Sequence, residues 1–118
     1  MPSFSETSNL FSIAEARIKQ IEHLGLGLTL PAVNQLRYVA CHLLRFDRSE
    51  SEKEKQEELR KANNHCERAI YDAVETGIIY CLEELREFQK DYKLVGITDI
   101  VPSYLDIRAK ANEVSRYI

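Results

Sequence analysis

Residues 59–92 read LRKANNHCERAIYDAVETGIIYCLEELREFQKDY, and their spacing decides the fold. Apolar or small residues recur at Leu59, Ala62, Cys66, Ile70, Ala73, Gly77, Cys81, Leu85, Phe88 and Tyr92. The steps are three or four residues and average about 3.7, the period of an apolar stripe along a nearly straight α-helix. A strand would alternate every second residue, so this stretch predicts one long helix against which the other elements pack. Unbroken, and with the polar turns that precede it, the helix would span about 60 Å at 1.5 Å per residue. Asn63, Asn64 and Gly77 are its weak points, because Asn and Gly are poor helix-interior residues.

Outward from this helix, three shorter apolar patterns have the same period. Leu10, Phe11, Ala14, Ile18, Ile21 and Leu24 predict a first helix, preceded by a frayed lead-in with Ser3, Ser5, Thr7 and Ser8 as competing caps and stopped by Gly25 and Gly27. Leu26, Leu28 and Leu30 then alternate as a buried loop. Thr29 caps a second helix with Pro31 in its first turn, where a missing N–H costs nothing. Its core stripe is Val33, Leu36, Ala40, Leu43 and Leu44, widened by Val39 and Cys41. From Asp47 to Glu58 every residue is charged, Ser or Gln. Ser49 with Glu52 and Ser51 with Glu54 offer two capping boxes for the long third helix. A fourth helix is expected from Thr98 or Asp99, with Pro102 in its first turn and Val101, Tyr104, Leu105, Ala111, Val114 and Ile118 on one face.

The fold class expected is therefore all-α, an antiparallel four-helix bundle with one unusually long third helix and a single domain over residues 1–118. The composition agrees: 44% hydrophobic, 30% charged, four Gly and three Pro suit a helical globular chain rather than a disordered one. The last helix ends in mid-pattern at Tyr117 and Ile118, which predicts either a fragment of a longer protein or an end buried against something else. The second half of the long helix also needs more cover than two short helices supply. Both features point to a homodimer, a missing domain or a partner helix.

The net charge of −3 supplies no global basic field for nucleic acid or anionic lipid, leaving only a local patch. No apolar run approaches the roughly 20 residues of a membrane span, and the first residues lack a signal-peptide pattern. The expected compartment is the cytoplasm. Three cysteines, Cys41, Cys66 and Cys81, are an odd count expected to face the helical core, not a disulfide framework. Cys66 and Cys81 would lie about 22 Å apart on one helix, beyond disulfide reach.

No glycine-rich phosphate loop, G-x-S-x-G turn or H-E-x-x-H helix is present. The paired carboxylates Glu83 with Glu84 and Glu87 with Asp91 read as solvated surface charge. Cys41-His42 and His65-Cys66 would offer zinc two thiolates and two imidazoles if the second and third helices turned near Lys53. Adjacent helical residues point about 100° apart, however, and the turn is expected earlier. The expectation is buried thiols, half-exposed histidines, no metal and no cofactor. Asp72 could orient a histidine, with a surface or capping role as the plainer reading.

Each histidine follows an arginine by five or six positions: Arg17 with His23, Arg37 with His42, and Arg60 with His65. In the stretch Arg60-Lys-Ala-Asn-Asn-His65 the chain resembles the HEPN superfamily of small all-α proteins, whose ribonuclease members carry an Arg-x4-6-His signature. The resemblance implies a dimer with a composite site at the interface. Arg60 would stabilise phosphate charge, and His65 would transfer a proton or orient the ribose hydroxyl. Lys61 and Tyr38 stand where the family usually has a polar residue after the arginine. Arg37, Arg45, Arg48 and Arg68 are the accompanying candidates for RNA contact around the turn between the second and third helices. Association through helices and metal-independent RNA cleavage or binding are the two functional expectations.

Overall fold

The computed structural model describes residues 1–25, 29–94 and 96–117. Its helices are α1 (Phe4–His23), α2 (Leu30–Arg48), α3 (Glu52–Asp91), α4 (Ile97–Ile100) and α5 (Tyr104–Ser115), and no strand occurs among the described residues. The all-α class is as expected. The count differs from four because the last helix divides at Pro102. Val101 is extended, at φ −121° and ψ 91°, since the ring of a following proline crowds the α conformation. Pro102 thus separates α4 from α5 and does not sit in the first turn of a single helix. Leu26, Gly27, Leu28 and Ile118, on which the buried loop, one glycine stop and the last position of the final stripe were expected, lie outside the described residues.

The chain packs as two compact units, Met1–Thr76 and Gly77–Ile118. In the first, α1, α2 and the first part of α3 run up, down and up. Phe4 meets Phe46, Leu10 joins the cluster of Val39, and Ile18 and Ile21 share a cluster with Ala32, so α1 and α2 are antiparallel. Thr7 bonds Asn63 while Ile18 and Ile21 reach Ala73, so α1 and α3 are parallel.

The core is built on small residues. Leu59, Ala62, Cys66, Ala69 and Ala73 are buried along α3, a three-four-three-four spacing in which Ala69 takes the place expected for the half-buried Ile70. Such a seam lets neighbouring helices approach closely and buries its atoms at crystal-like density. On α2 the buried residues are Ala32 and Val39, with Val33, Leu36 and Leu43 packed beside them. Ala40, Cys41 and Leu44, expected in the stripe, face solvent, and Leu30 is exposed as well. The two extra apolar residues made the stripe too wide to choose its centre from sequence.

Two caps were misplaced or left open by the sequence. Helix α1 starts at Phe4, earlier than expected, because the Ser3 side chain accepts from the Glu6 N–H at 3.1 Å. Thr7 is therefore inside the helix and buried, donating its hydroxyl proton to Asn63 Oδ1. That bond explains why Asn63, a suspected weak point, lies within a continuous 40-residue helix. Of the two capping boxes, Ser51 with Glu54 starts α3, whereas the Ser49 hydroxyl donates to the Arg45 carbonyl and closes α2. Gly25, at φ +79°, ends α1 in the left-handed region that suits glycine.

In the second unit, Phe88 packs against Tyr92 and Tyr104 with ring centroids 5.0 and 6.2 Å apart. Tyr104 is its one buried residue among those described. Cys81 and Tyr92, expected in the stripe, are exposed, and Gly77, Leu85 and Phe88 are half-buried. No described helix is long and apolar enough to cross a membrane.

The Thr7 to Asn63 bond gives a direct test. Thr7→Val keeps the shape and strands a buried amide oxygen, which costs about 1–3 kcal/mol. Urea denaturation followed by circular dichroism should show a lower midpoint with an unchanged slope.

Candidate functional site

Beside its apolar seam, α3 carries a polar stripe at helical spacing: Glu58, Lys61, His65, Arg68 and Asp72. Facing it on α2 are Gln35, Tyr38 and His42. The two helices are antiparallel, with His42 bonded to Glu58 and Gln35 bonded to His65, each at 2.7 Å. Lys55 Nζ donates to the Phe46 carbonyl at 2.8 Å and lies over its ring, which secures the end of α2 near the turn.

These contacts have a reciprocal form. Gln35 precedes His42 by two helical turns, and Glu58 precedes His65 by two helical turns, so each histidine is held by the residue two turns before the other. Side chains on a helix lean toward its N-terminus. On antiparallel helices His42 and His65 therefore lean toward one another, and their rings stack with centroids 5.2 Å apart and planes 14° apart. The Tyr38 ring packs against His65 at a tilt of 38°, also at 5.2 Å.

Both Nδ1 atoms are committed. An ionised Glu58 only accepts, so His42 donates Nδ1–H to it; Gln35 Oε1 likewise accepts from His65 Nδ1–H. The free ring nitrogen on each histidine is Nε2. His42 and Glu58 side chains are 12% and 15% exposed, a partly dry setting in which such bonds strengthen. Burial holds the His65 pKa below the ordinary histidine range, helped by positive charge on His42 and Arg68.

The cluster opens into a cleft of about 280 Å³ lined by Gln35, Glu67, Arg68, Tyr71 and Asp72. Gln35 belongs to both. Tyr71 is exposed, and a hydrogen bond to Glu75 raises its hydroxyl pKa.

Arg60 and His65 go to different surroundings within the chain. Arg60 is exposed and held by Glu57, whose carboxylate it keeps below the usual range. His65 faces α2. Arg37 is exposed with Nη1 donating to Asn34, Arg45 and Arg48 are exposed at the end of α2, and Arg68 edges the cleft. Arg37 and Arg48 are about 16 Å apart along the helix, so the arginines are strung along α2 and α3 and do not crowd the turn. In the other pair, Arg17 bonds Gln20 and His23 is exposed in the last turn of α1.

The zinc arrangement assembles only in half. The histidines meet although the hairpin is centred near residue 50, whereas Cys41 is exposed and Cys66 is buried in the seam. Burial pushes the Cys66 thiol up to about 11, making it a packing group rather than a nucleophile. Among the described residues no group of three or more potential ligands comes together. The carboxylate that orients a histidine is Glu58, not Asp72, which lines the cleft and whose carbonyl accepts from Thr76. Glu58 and Gln35 were missed in the sequence. Their signal, a two-turn spacing to a histidine on each helix, has meaning only once the pairing of the helices is known.

No family model matches the chain, and no curated protein or solved structure matches it either.

The depressed His65 pKa makes stability depend on pH. Below its unfolded value of about 6.5, the unfolded chain takes up a proton that folded His65 resists, so stability falls as pH drops from there toward the folded pKa. Chemical denaturation between pH 7.5 and 5 should show this loss, and His65→Gln should flatten it.

Proposed function

We propose that this protein works by association in the cytoplasm, with a second copy of the chain covering the second unit. The observation that supports this reading is that Tyr104 alone is buried among the described residues of Gly77–Ile118, while Leu94, Ile100, Leu105 and Ile107 are exposed. A helical unit of roughly 40 residues rarely holds together on so little burial without oligomerising. A two-fold interface would present the same patch from both copies. The latter part of α3 and α5 from each copy would then make an intermolecular four-helix bundle, different from the bundle of one chain's four helices expected from the sequence. A missing domain or partner helix would cover the same face in a different assembly. The three free cysteines, Cys41, Cys66 and Cys81, suit a reducing compartment.

Light scattering over a hundredfold range of concentration tests this. The parent chain should be a dimer, and Leu105→Glu with Ile107→Glu should raise the dissociation constant by roughly a hundredfold or more. A parent chain that stays monomeric throughout overturns the reading.

A second reading is favoured by the half-buried His65, whose pKa burial lowers. It is a HEPN-like, metal-independent ribonuclease or RNA-binding protein. Arg60 and His65 of a dimer would share a composite site, with Arg37, Arg45, Arg48 and Arg68 meeting phosphates. Arg60 is exposed enough to exchange Glu57 for a phosphate. In the presence of a chelator, the parent should cleave mixed RNA and a folded Arg60→Ala, His65→Ala variant should not. Intact RNA with an assembled parent overturns the cleavage reading.

A further inference from the structure

We propose that His65 and His42 are the base and the acid of one phosphodiester-cleaving centre, complete within a single chain, acting on single-stranded RNA laid along the groove between α2 and α3. The proposal rests on the ribonuclease reading and replaces its composite site with one inside each subunit.

Four observations carry it. The rings stack at 5.2 Å, so one substrate phosphate can reach both. Each Nδ1 is tied down at 2.7 Å, by Glu58 for His42 and by Gln35 for His65. These bonds set the ring orientations and leave each Nε2 as the atom that exchanges protons. The partners differ: His42 is bonded to a carboxylate, Glu58, whereas His65 is bonded to a neutral amide, Gln35, and faces the His42 ring and the charge of Arg68. Such a split assigns the base to His65 and the acid to His42. Through Gln35 the pair also adjoins an open cleft lined by Glu67, Arg68, Tyr71 and Asp72, and Tyr71, with Tyr38 beside His65, 66% and 52% exposed, offers surfaces for stacking bases.

The step balances without a metal or co-reactant. His65 Nε2 takes the proton of the ribose 2′-hydroxyl. The 2′-oxygen forms a bond to phosphorus as the bond from phosphorus to the 5′-oxygen breaks. That oxygen takes the proton from His42 Nε2. The products are a 2′,3′-cyclic phosphate and a 5′-hydroxyl, and water exchange returns both imidazoles to their starting forms. Arg68 offsets the negative charge that gathers on the phosphate.

The test uses the full chain with a chelator and a labelled single-stranded oligonucleotide containing one ribonucleotide among deoxynucleotides. Circular dichroism checks that every variant is folded. The parent should leave a cyclic phosphate at the ribonucleotide, with a bell-shaped pH profile. His42→Gln and His65→Gln should each lose roughly a hundredfold or more in rate. Glu58→Gln should move the alkaline limb of the profile to lower pH, because a neutral amide then replaces the carboxylate bonded to the acid; a purely structural carboxylate would leave the limb in place. Mixing His42→Gln chains with His65→Gln chains should restore nothing, since neither chain holds both groups. If folded His42→Gln cleaves like the parent, or if mixing restores activity, the single-chain centre is overturned and the ribonuclease reading stands. A folded parent that cleaves nothing overturns both.

Discussion

Close approach of three helices along an alanine seam is the constraint on which the first unit depends. Ala14 on α1, Ala32 on α2, and Ala62, Ala69 and Ala73 on α3 are fully buried, and the large side chains among them are few: Ile18, Ile21, Val39 and Leu59. A seam of this kind gains from dispersion at short range more than from apolar area. It leaves little tolerance for an added methylene in a well-packed core. The Thr7 to Asn63 bond lies in the same tight region. There it satisfies a polar group that would otherwise be costly to bury, and it sets α1 against α3 in one register.

That register also places the polar groove. Once α3 turns its small residues inward, the stripe from Glu58 to Asp72 stands at the edge of the contact with α2. The lean of helical side chains toward the N-terminus then brings His42 and His65 together across an antiparallel pair. Because Gln35 and Glu58 stand two turns before the histidines, both rings are fixed by the helix opposite. The arrangement couples chemistry to packing: the bonds that orient the imidazoles also cross-link α2 to α3. The same pairing leaves Arg60 on another side of α3, engaged with Glu57, so the spacing Arg-x4-His does not by itself make a site within one chain.

The second unit is of a different kind. Aromatic contacts around Phe88 hold it, and much apolar surface on α4 and α5 faces outward. Pro102 contributes by forcing Val101 out of the helical region. The chain can therefore turn between α4 and α5, and the apolar residues of the last two helices do not line up as one stripe.

The sequence by itself determined the all-α class, the single long helix and much of its first-half seam, the glycine end of α1, the start of α2 after Thr29, whose side chain makes no capping bond, and the presence of candidate arginines and histidines. All of these rest on local periodicity, capping chemistry and backbone sterics, which act over a few residues. Only the tertiary structure decided that Ala69 and not Ile70 enters the seam, that Ala40, Cys41 and Leu44 point outward, that Thr7 finds Asn63, and that His42 and His65 meet under the hold of Glu58 and Gln35. The physical reason is common to these cases. Each depends on the depth and register at which one helix settles against another, and that is set by the summed packing of residues far apart in the chain.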